Sequence, residues 1–368
     1  MKTNYLLASL LSLFLLGCTS DSIETIEGSG DDNTDLPATP VRYFPPLESA
    51  DWETVDPASL DWNASAEGAL RDFLESNGTK AFMILKDGRI AVEWYFDEHT
   101  VNTSWYWASA GKTLTAFAVG IAEAEGLLDV NDTSADYLGQ GWTGLTMEKE
   151  NLIKIKHQLT MTSGLNDLEF DCITPDCLEY LADAGTRWAY HNGPYTLLQD
   201  VVANASAMDW TDYFNQKLRD RIGMDGFWFS TSGTNNVYFS TARSMARFGL
   251  LNLNGGQWEA TDILSNEAYE SAMRVTSQEL NAAYGYLWWL NGKDSYRAPG
   301  LQAVFDGELI PNAPADTYAG LGKNDQKLYI VPSRGLVILR QGDDSGDDLL
   351  GPSSFDNALW ERLSAYLD

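Results

Sequence analysis

Histidine is almost missing from this chain: its 368 residues include 3, His99, His157 and His191. A Ser-His-Asp hydrolase would place one of them beside a serine at a Gly-x-Ser-x-Gly turn, and no such string occurs. His157 falls in a predicted helix over 153–161 and reads as a structural or surface residue, and His99 sits in an apparent loop. Cysteine is equally scarce, with 3 residues. Two cysteines and so few histidines make a poor zinc site, so neither a metal nor a cofactor is expected. Positive charge is short as well: Lys and Arg number 24 against 53 Asp and Glu, a net charge of -29. That balance excludes a nucleic-acid partner, because phosphate neutralisation dominates such binding. No basic cluster falls on a predicted helix face, so the folded part has nothing with which to hold an anionic membrane. The longest apolar run, residues 5–16, is too short to span a bilayer.

What is present divides the chain into three. Residues 1–17 combine a short basic start with that apolar run and end in Leu15-Leu16-Gly17, followed by Cys18. This looks like a bacterial lipoprotein signal, in which Cys18 is lipidated and becomes the mature N-terminus; a secretory signal with a chance cysteine is the alternative. Residues 18–42 are acidic and poor in large apolar side chains, a composition that cannot bury enough surface to fold, and are expected to form a tether. A bacterial cell-envelope location follows, with the membrane reached through lipid alone. Residues 43–368 hold most of the 13 Trp, 17 Tyr and 14 Phe, enough for one large core or two lobes sharing one. Outside the cytoplasm, Cys172 and Cys177, with Pro175 between them, read as a disulfide pinning a loop.

The chain contains a single Ser-x-x-Lys string, Ser109-Ala110-Gly111-Lys112. On a helix, residues three apart share a face, so the spacing sets a hydroxyl beside an amine without help from the rest of the fold. Residues 112–122 continue as a small, apolar, nearly uncharged helix, which would bury Lys112 and favour its neutral, proton-accepting form. Around this point the elements alternate. Residues 81–85 and 89–96 predict an N-terminal hairpin. Residues 109–275 read mostly as helices, among them 196–206, 210–222 and 241–253, the last with its apolar stripe broken by Arg243 and Arg247. Strands return at 284–290, 327–331 and 336–339, and 354–367 is helical. The expectation is an α/β lobe built from both ends, about 43–105 and 280–368, a helical lobe at about 109–275, and Ser109 at their junction.

Five strings stand in one order: Ser109 with Lys112, Leu159-Thr160-Met161-Thr162-Ser163-Gly164-Leu165, Tyr190-His191-Asn192, the run from Ser240 to Gly249, and Tyr284-Gly285-Tyr286-Leu287-Trp288-Trp289. In this combination the chain from about residue 43 onward resembles the serine β-lactamase-related family, in particular its class C-like esterases and 6-aminohexanoate-dimer hydrolases. The resemblance implies an α+β fold of the β-lactamase and penicillin-binding-protein type: an antiparallel sheet flanked by helices, a mostly helical lobe, and the active site between them. It also implies a tyrosine from a Tyr-x-Asn motif facing the serine. The string at Tyr213-Phe214-Asn215 lies inside a predicted amphipathic helix, whereas Tyr190 follows a turn at Gly185-Thr186 and precedes a helix, so Tyr190 is the expected partner. Asn192 would hydrogen-bond Lys112 or a substrate carbonyl, or serve only as a turn-forming residue before Gly193-Pro194.

On this reading Ser109 attacks a carbonyl while Lys112 and Tyr190 share its proton, the ammonium favouring a phenolate. The oxyanion donors would be the backbone N–H of Ser109 and one from the cleft strand, where β-lactamases carry Lys-Thr-Gly. Here the segment reads Tyr318-Ala319-Gly320-Leu321-Gly322-Lys323, similar to a glycine-rich string of the ester and amide hydrolase branch. Leu321 is the expected donor, and Gly320 the neighbouring alternative. Loss of the Lys-Thr-Gly cation weakens a β-lactam or peptidoglycan assignment, although Lys323 stands close by. Trp105, Tyr106, Trp107, Trp188, Trp288 and Trp289 line a hydrophobic pocket or pack the core. The expected function is hydrolysis of a small ester or amide through an acyl-enzyme on Ser109, with ester favoured because alkoxides leave more readily. A cell-wall or linear-amide peptidase and a non-turnover surface sensor remain the other readings, and oligomeric state is not legible.

Overall fold

An unbroken apolar run such as Ala81 to Leu85 suits a strand covered on both faces, and all five of these side chains are buried. The computed structural model describes residues 42–230, 236–346 and 351–368. The expected signal segment, Cys18 and all but the last residue of the expected tether lie outside these described residues. Strand β1 (Thr79–Lys86) turns into β2 (Arg89–Tyr95) through Asp87 and Gly88. Both turn residues have positive φ, 47° and 86°, as a two-residue hairpin turn demands. The other strands of this sheet come from the far end of the chain: β3 (Trp289–Leu290), β4 (Tyr318–Gly322), β5 (Gln326–Val331) and β6 (Leu336–Gly342). All pairings are antiparallel, in the order β2-β1-β6-β5-β4-β3, so both ends of the domain close one six-stranded sheet.

Five helices frame it: α1 (Glu67–Ser76), α2 (Lys112–Ala124), α3 (Asn192–Ser206), α4 (Ala242–Leu253) and α5 (Ser354–Leu367). On one face α1 and α5 pack together, and Lys327 and Tyr329 of β5 reach Asp356 of α5. On the other face lies α4, capped by the Thr241 hydroxyl. A Cβ at its Gly249 would stand 2.3 Å from Val337 Cγ1, so glycine lets helix and sheet close up.

The lobe boundaries differ from the sequence expectation in two ways. Helix α4 falls inside the stretch expected to be a helical lobe, yet it packs on the sheet. Its two arginines explain the broken stripe: Arg243 grips Glu93 of β2 with bonds of 2.7 and 2.8 Å, and Arg247 donates to the carbonyls of Pro45, Pro46 and Ile222. The same stretch also holds two strands, Phe227–Ser230 and Asn236–Ser240, which pair with each other, the second pairing also with Trp105–Tyr106 in a second sheet. The strand expected over 284–290 shortens to β3, because the chain doubles back at Leu287, φ 60°, and Tyr284 bridges Trp289. The stretch 210–222 is helical throughout, as expected, but changes type from α (Trp210–Phe214) to π (Asn215–Arg219) to 3-10 (Asp220–Ile222), and within it Tyr213 is buried and bonded to Glu125. Helix α2 is buried from Lys112 through Ala122 and packs against α3.

Candidate active site

Trp107 fixes the approach to the serine. Its indole donates to Ser240 Oγ at 2.8 Å and its backbone N–H to the Tyr238 carbonyl at 2.8 Å. Ala108 then takes a left-handed conformation, φ 47°, which costs a non-glycine residue about 1 kcal/mol and is the kind of strain found at functional sites. Residues Ala108–Gly111 form a 3-10 turn leading into α2, so Ser109 lies just outside the α-helix that the spacing predicted. The tighter turn eclipses positions i and i+3, and the Lys112 ammonium nitrogen comes to 3.0 Å from Ser109 Oγ. The serine is partly exposed, and the lysine is 2 % exposed.

Burial lowers the Lys112 pKa to about 7, against an opposing push from the charge of Asp171. Near neutral pH a large fraction of this amine is therefore a free base. Asn192, the first residue of α3, accepts a hydrogen bond from it at 2.6 Å through Oδ1. The ring of Tyr195, one turn further along α3, lies 4.3 Å from the amine, and that of Tyr190 lies at 4.9 Å.

The Ser109 hydroxyl is near enough to the Tyr190 phenol to oppose the effect of burial on its pKa. Its ring is clamped between Trp289, stacked at 5.9 Å, and Phe170, stacked at 6.2 Å, with the edge of Tyr284 at 6.3 Å. Such packing fixes the phenol ring beside Lys112, but it also removes water. Burial pushes the Tyr190 phenol well up from its ordinary value, so the proton that the pair would share is favoured on the phenol. Desolvation favours the neutral form of both groups, in which an amine can accept a proton and a phenol can pass one on.

Strand β4 supplies the opposite wall. It pairs with β3 only through Tyr318 and Ala319, so Gly320–Gly322 run past the end of β3. The Thr317 carbonyl faces β3's side, accepting from Asn291 N–H, and backbone groups alternate sides along a strand. The Leu321 N–H therefore points to the side of β4 on which pairing with β3 has ended, while the Gly320 N–H points toward β5. Glycine lets the strand come close: a Cβ at Gly322 would stand 2.5 Å from the Trp107 carbonyl, and one at Gly320 would stand 3.2 Å from Thr113 Cγ2. Lys323 is exposed in the following turn, and Asn324 ties that turn to Tyr106 with a 2.7 Å hydrogen bond.

The structure thus brings Ser109, Lys112, Tyr190 and Asn192 into one cluster, and packs Gly320 and Gly322 against the serine turn. Cys172 and Cys177 are joined in a disulfide. His157 accepts the Lys154 N–H through Nδ1, capping its short helix, and burial holds its pKa down at about 4. Trp107, Trp188, Trp288 and Trp289 are buried packing residues, and Trp105 and Tyr106 are half-buried. Two neighbours escaped the sequence reading. Tyr195 shares a helix face with Asn192 at i and i+3, a signal that was there to use; Asp171 is one carboxylate among many and gave none. Among the described residues, no group of His, Cys, Asp and Glu is arranged to hold a metal ion, and no helix is long and apolar enough to cross a membrane.

Comparison with known proteins gives a concordant picture. The family model described as Beta-lactamase matches residues 69–340. An uncharacterized protein of Alkalihalophilus pseudofirmus is 24% identical over 306 residues, which are 73% of this chain and 84% of that one. Among solved structures, a Bacillus anthracis protein provisionally named a 6-aminohexanoate-dimer hydrolase superposes with a TM-score of 0.67 at 18% identity, over 88% of each chain. The penicillin binding protein from Bacillus halodurans gives 0.59 at 16% identity, over 81% of this chain and 100% of its own. EstCE1, a hydrolase with promiscuous acyltransferase activity, gives 0.59 at 13%, over 84% and 99%. At these identities the structures share a fold with this chain.

Proposed function

The chain belongs to the beta-lactamase family, and from that membership we propose a serine hydrolase that cleaves a small ester through an acyl-enzyme on Ser109. The observation that carries this reading is a buried amine, its pKa lowered to about 7, at 3.0 Å from a partly exposed serine hydroxyl. Ser109 Oγ adds to the substrate carbonyl as its proton passes to Lys112. The backbone N–H groups of Ser109 and Leu321 hold the oxyanion, an arrangement whose loss typically costs about 3 kcal/mol. As the carbon–oxygen bond to the leaving alcohol breaks, Tyr190 gives that oxygen a proton and is resupplied from Lys112. Water then repeats the sequence on the acyl-serine, returning the acid and free Ser109.

Ester is favoured over amide because an alkoxide leaves with less help. The aligned strand also has no Lys-Thr-Gly lysine for a substrate carboxylate, which argues against β-lactams and peptidoglycan stems. The proposed setting is the bacterial cell envelope, with lipid on Cys18 and residues 18–42 as spacer; the N-terminal sequence alone supports it. The test of the chemistry is hydrolysis of a short-chain aryl ester by the wild type and by Ser109→Ala, with mass spectrometry of the trapped protein. Steady turnover with the acyl mass on the Ser109 peptide, both lost in the variant, is expected. A single stoichiometric burst would point to a sensor, and turnover that survives Ser109→Ala would overturn the assignment.

A further inference from the structure

A carboxylate completes the cluster from outside. Asp171 is exposed, yet its Oδ1 accepts from Asn192 Nδ2 at 2.8 Å, while Asn192 Oδ1 accepts from Lys112 at 2.6 Å. The two ends of a side-chain amide are not equivalent: the oxygen accepts, the NH2 donates, and an ionised carboxylate only accepts. Asp171 therefore admits one orientation of Asn192, the one that presents its oxygen to Lys112. In the flipped orientation two acceptors would face each other, and the lysine would meet an NH2 in place of its acceptor.

The segment that carries Asp171 is held on both sides. Phe170 stacks on Tyr190, and its carbonyl accepts the Asn192 backbone N–H at 3.1 Å. On the other side, the Cys172 carbonyl lies so close to α3 that a Cβ at Gly193 would stand 2.0 Å from it. Cys172 is in turn tied to Cys177. We propose that Asp171, held by the disulfide loop, is a positioning residue for the hydrolysis, fixing the Asn192 amide so that Lys112 is aimed at Ser109. This inference rests on the serine-hydrolase reading above.

The titratable groups facing Lys112 come from several elements: Tyr190 from the segment before α3, Tyr195 from α3, and Tyr284 behind both phenols. Asp171 also acts on His191, as do Asp167 and Arg187, which pair with each other at 2.8 Å. Of these, Asp171 is the charge that raises the proton affinity of Lys112 against burial. Replacing it with a neutral amide thus has two consequences of different kind: the Asn192 orientation is freed, and the acid limb of the rate profile moves to lower pH.

The experiment compares aryl-ester kcat/KM against pH for the wild type, Asp171→Asn and Asp171→Glu, with Ser109→Ala as control and thermal melts for each. Asp171→Asn is expected to lose about tenfold at the plateau, the size of one hydrogen bond to a charged group, with its acid limb displaced to lower pH. Asp171→Glu keeps charge and acceptor-only chemistry, so its limb stays at the wild-type position. The Cys172→Ser, Cys177→Ser double variant, or reduction of the wild type, should move plateau and limb in the direction of Asp171→Asn by a smaller amount. An unchanged plateau and limb in Asp171→Asn, or a Glu variant displaced like the Asn variant, would overturn the proposal while Ser109→Ala is still inactive. Turnover persisting in Ser109→Ala would instead strike the parent reading. Should Asp171→Asn fail to melt cooperatively, Asp171→Ser, which also lacks the charge, is read in its place: a wild-type plateau and limb in that variant would overturn the proposal.

Discussion

Two lysines are buried among the described residues, and their surroundings are opposites. Lys327, on β5 with 0 % exposure, stands 3.1 Å from Asp325 and 2.9 Å from Asp356, with the Gly351 carbonyl at 2.9 Å. Its ammonium is compensated twice, and the contact ties the sheet to α5. Lys112 has no direct ion pair among the described residues. It meets an amide oxygen, a serine hydroxyl and two phenol rings, and its nearest charge acts across Asn192. Taking an ammonium out of water is costly unless a counter-charge is supplied. Where it is supplied, the lysine is a structural strut; where it is withheld, the amine gives up its proton and becomes a base. The same side chain is assigned opposite tasks by the neighbours it meets.

The largest effect that would break this contrast is on chemistry. Lys112→Met should reduce aryl-ester kcat/KM by roughly 10^4-fold or more, the scale seen when a member of a catalytic unit is removed, with the protein still folded by thermal melt. Lys327→Met should do the reverse. It leaves Asp325 and Asp356 buried without their cation, a loss of about 3–5 kcal/mol readable by denaturant titration, while the folded fraction keeps its kcat/KM within about twofold, since the residue touches no reacting atom. If Lys327→Met were as inactive as Lys112→Met at temperatures where both are folded, the division of labour would fail.

The finest test is pH. Only the neutral amine accepts a proton, so kcat/KM should rise through an acid limb near 7, where burial sets the Lys112 pKa, and fall about tenfold per unit below it. Lys327→Met should leave the limb in place. The same shift acts on stability: folded Lys112 titrates near 7, whereas an unfolded lysine titrates near ~10.4. Between these values the unfolded chain binds the extra proton, so this residue's contribution to stability rises with pH across that window. Lys112→Met should flatten that part of the stability profile.

How much of this was legible depended on how local each feature is. The Ser109 and Lys112 pair could be read because three residues of separation specify it under any helical geometry. Strands β1, β5 and β6 and helix α5 could be read from apolar runs and periodicity, and Tyr190 was separated from Tyr213 by its turn and helix context. The seating of α4 on the sheet, by contrast, depends on Glu93 and on the carbonyls of Pro45 and Pro46, which lie far back in the chain. The strand at 284–290 was overread because aromatic propensity gives no sign of a left-handed Leu287. Which of Lys112 and Tyr190 holds the proton stayed open because sequence reports that a tyrosine is near a lysine and not how much water remains between them.

The sequence alone determined the closeness of Ser109 and Lys112, since residues at i and i+3 share a face of any helical turn. Only the tertiary structure decided the state of that pair. Desolvation and orientation of Lys112 come from Asp171, Tyr190, Asn192, Tyr195 and the aromatic wall ending in Trp289, side chains from segments that folding alone makes neighbours.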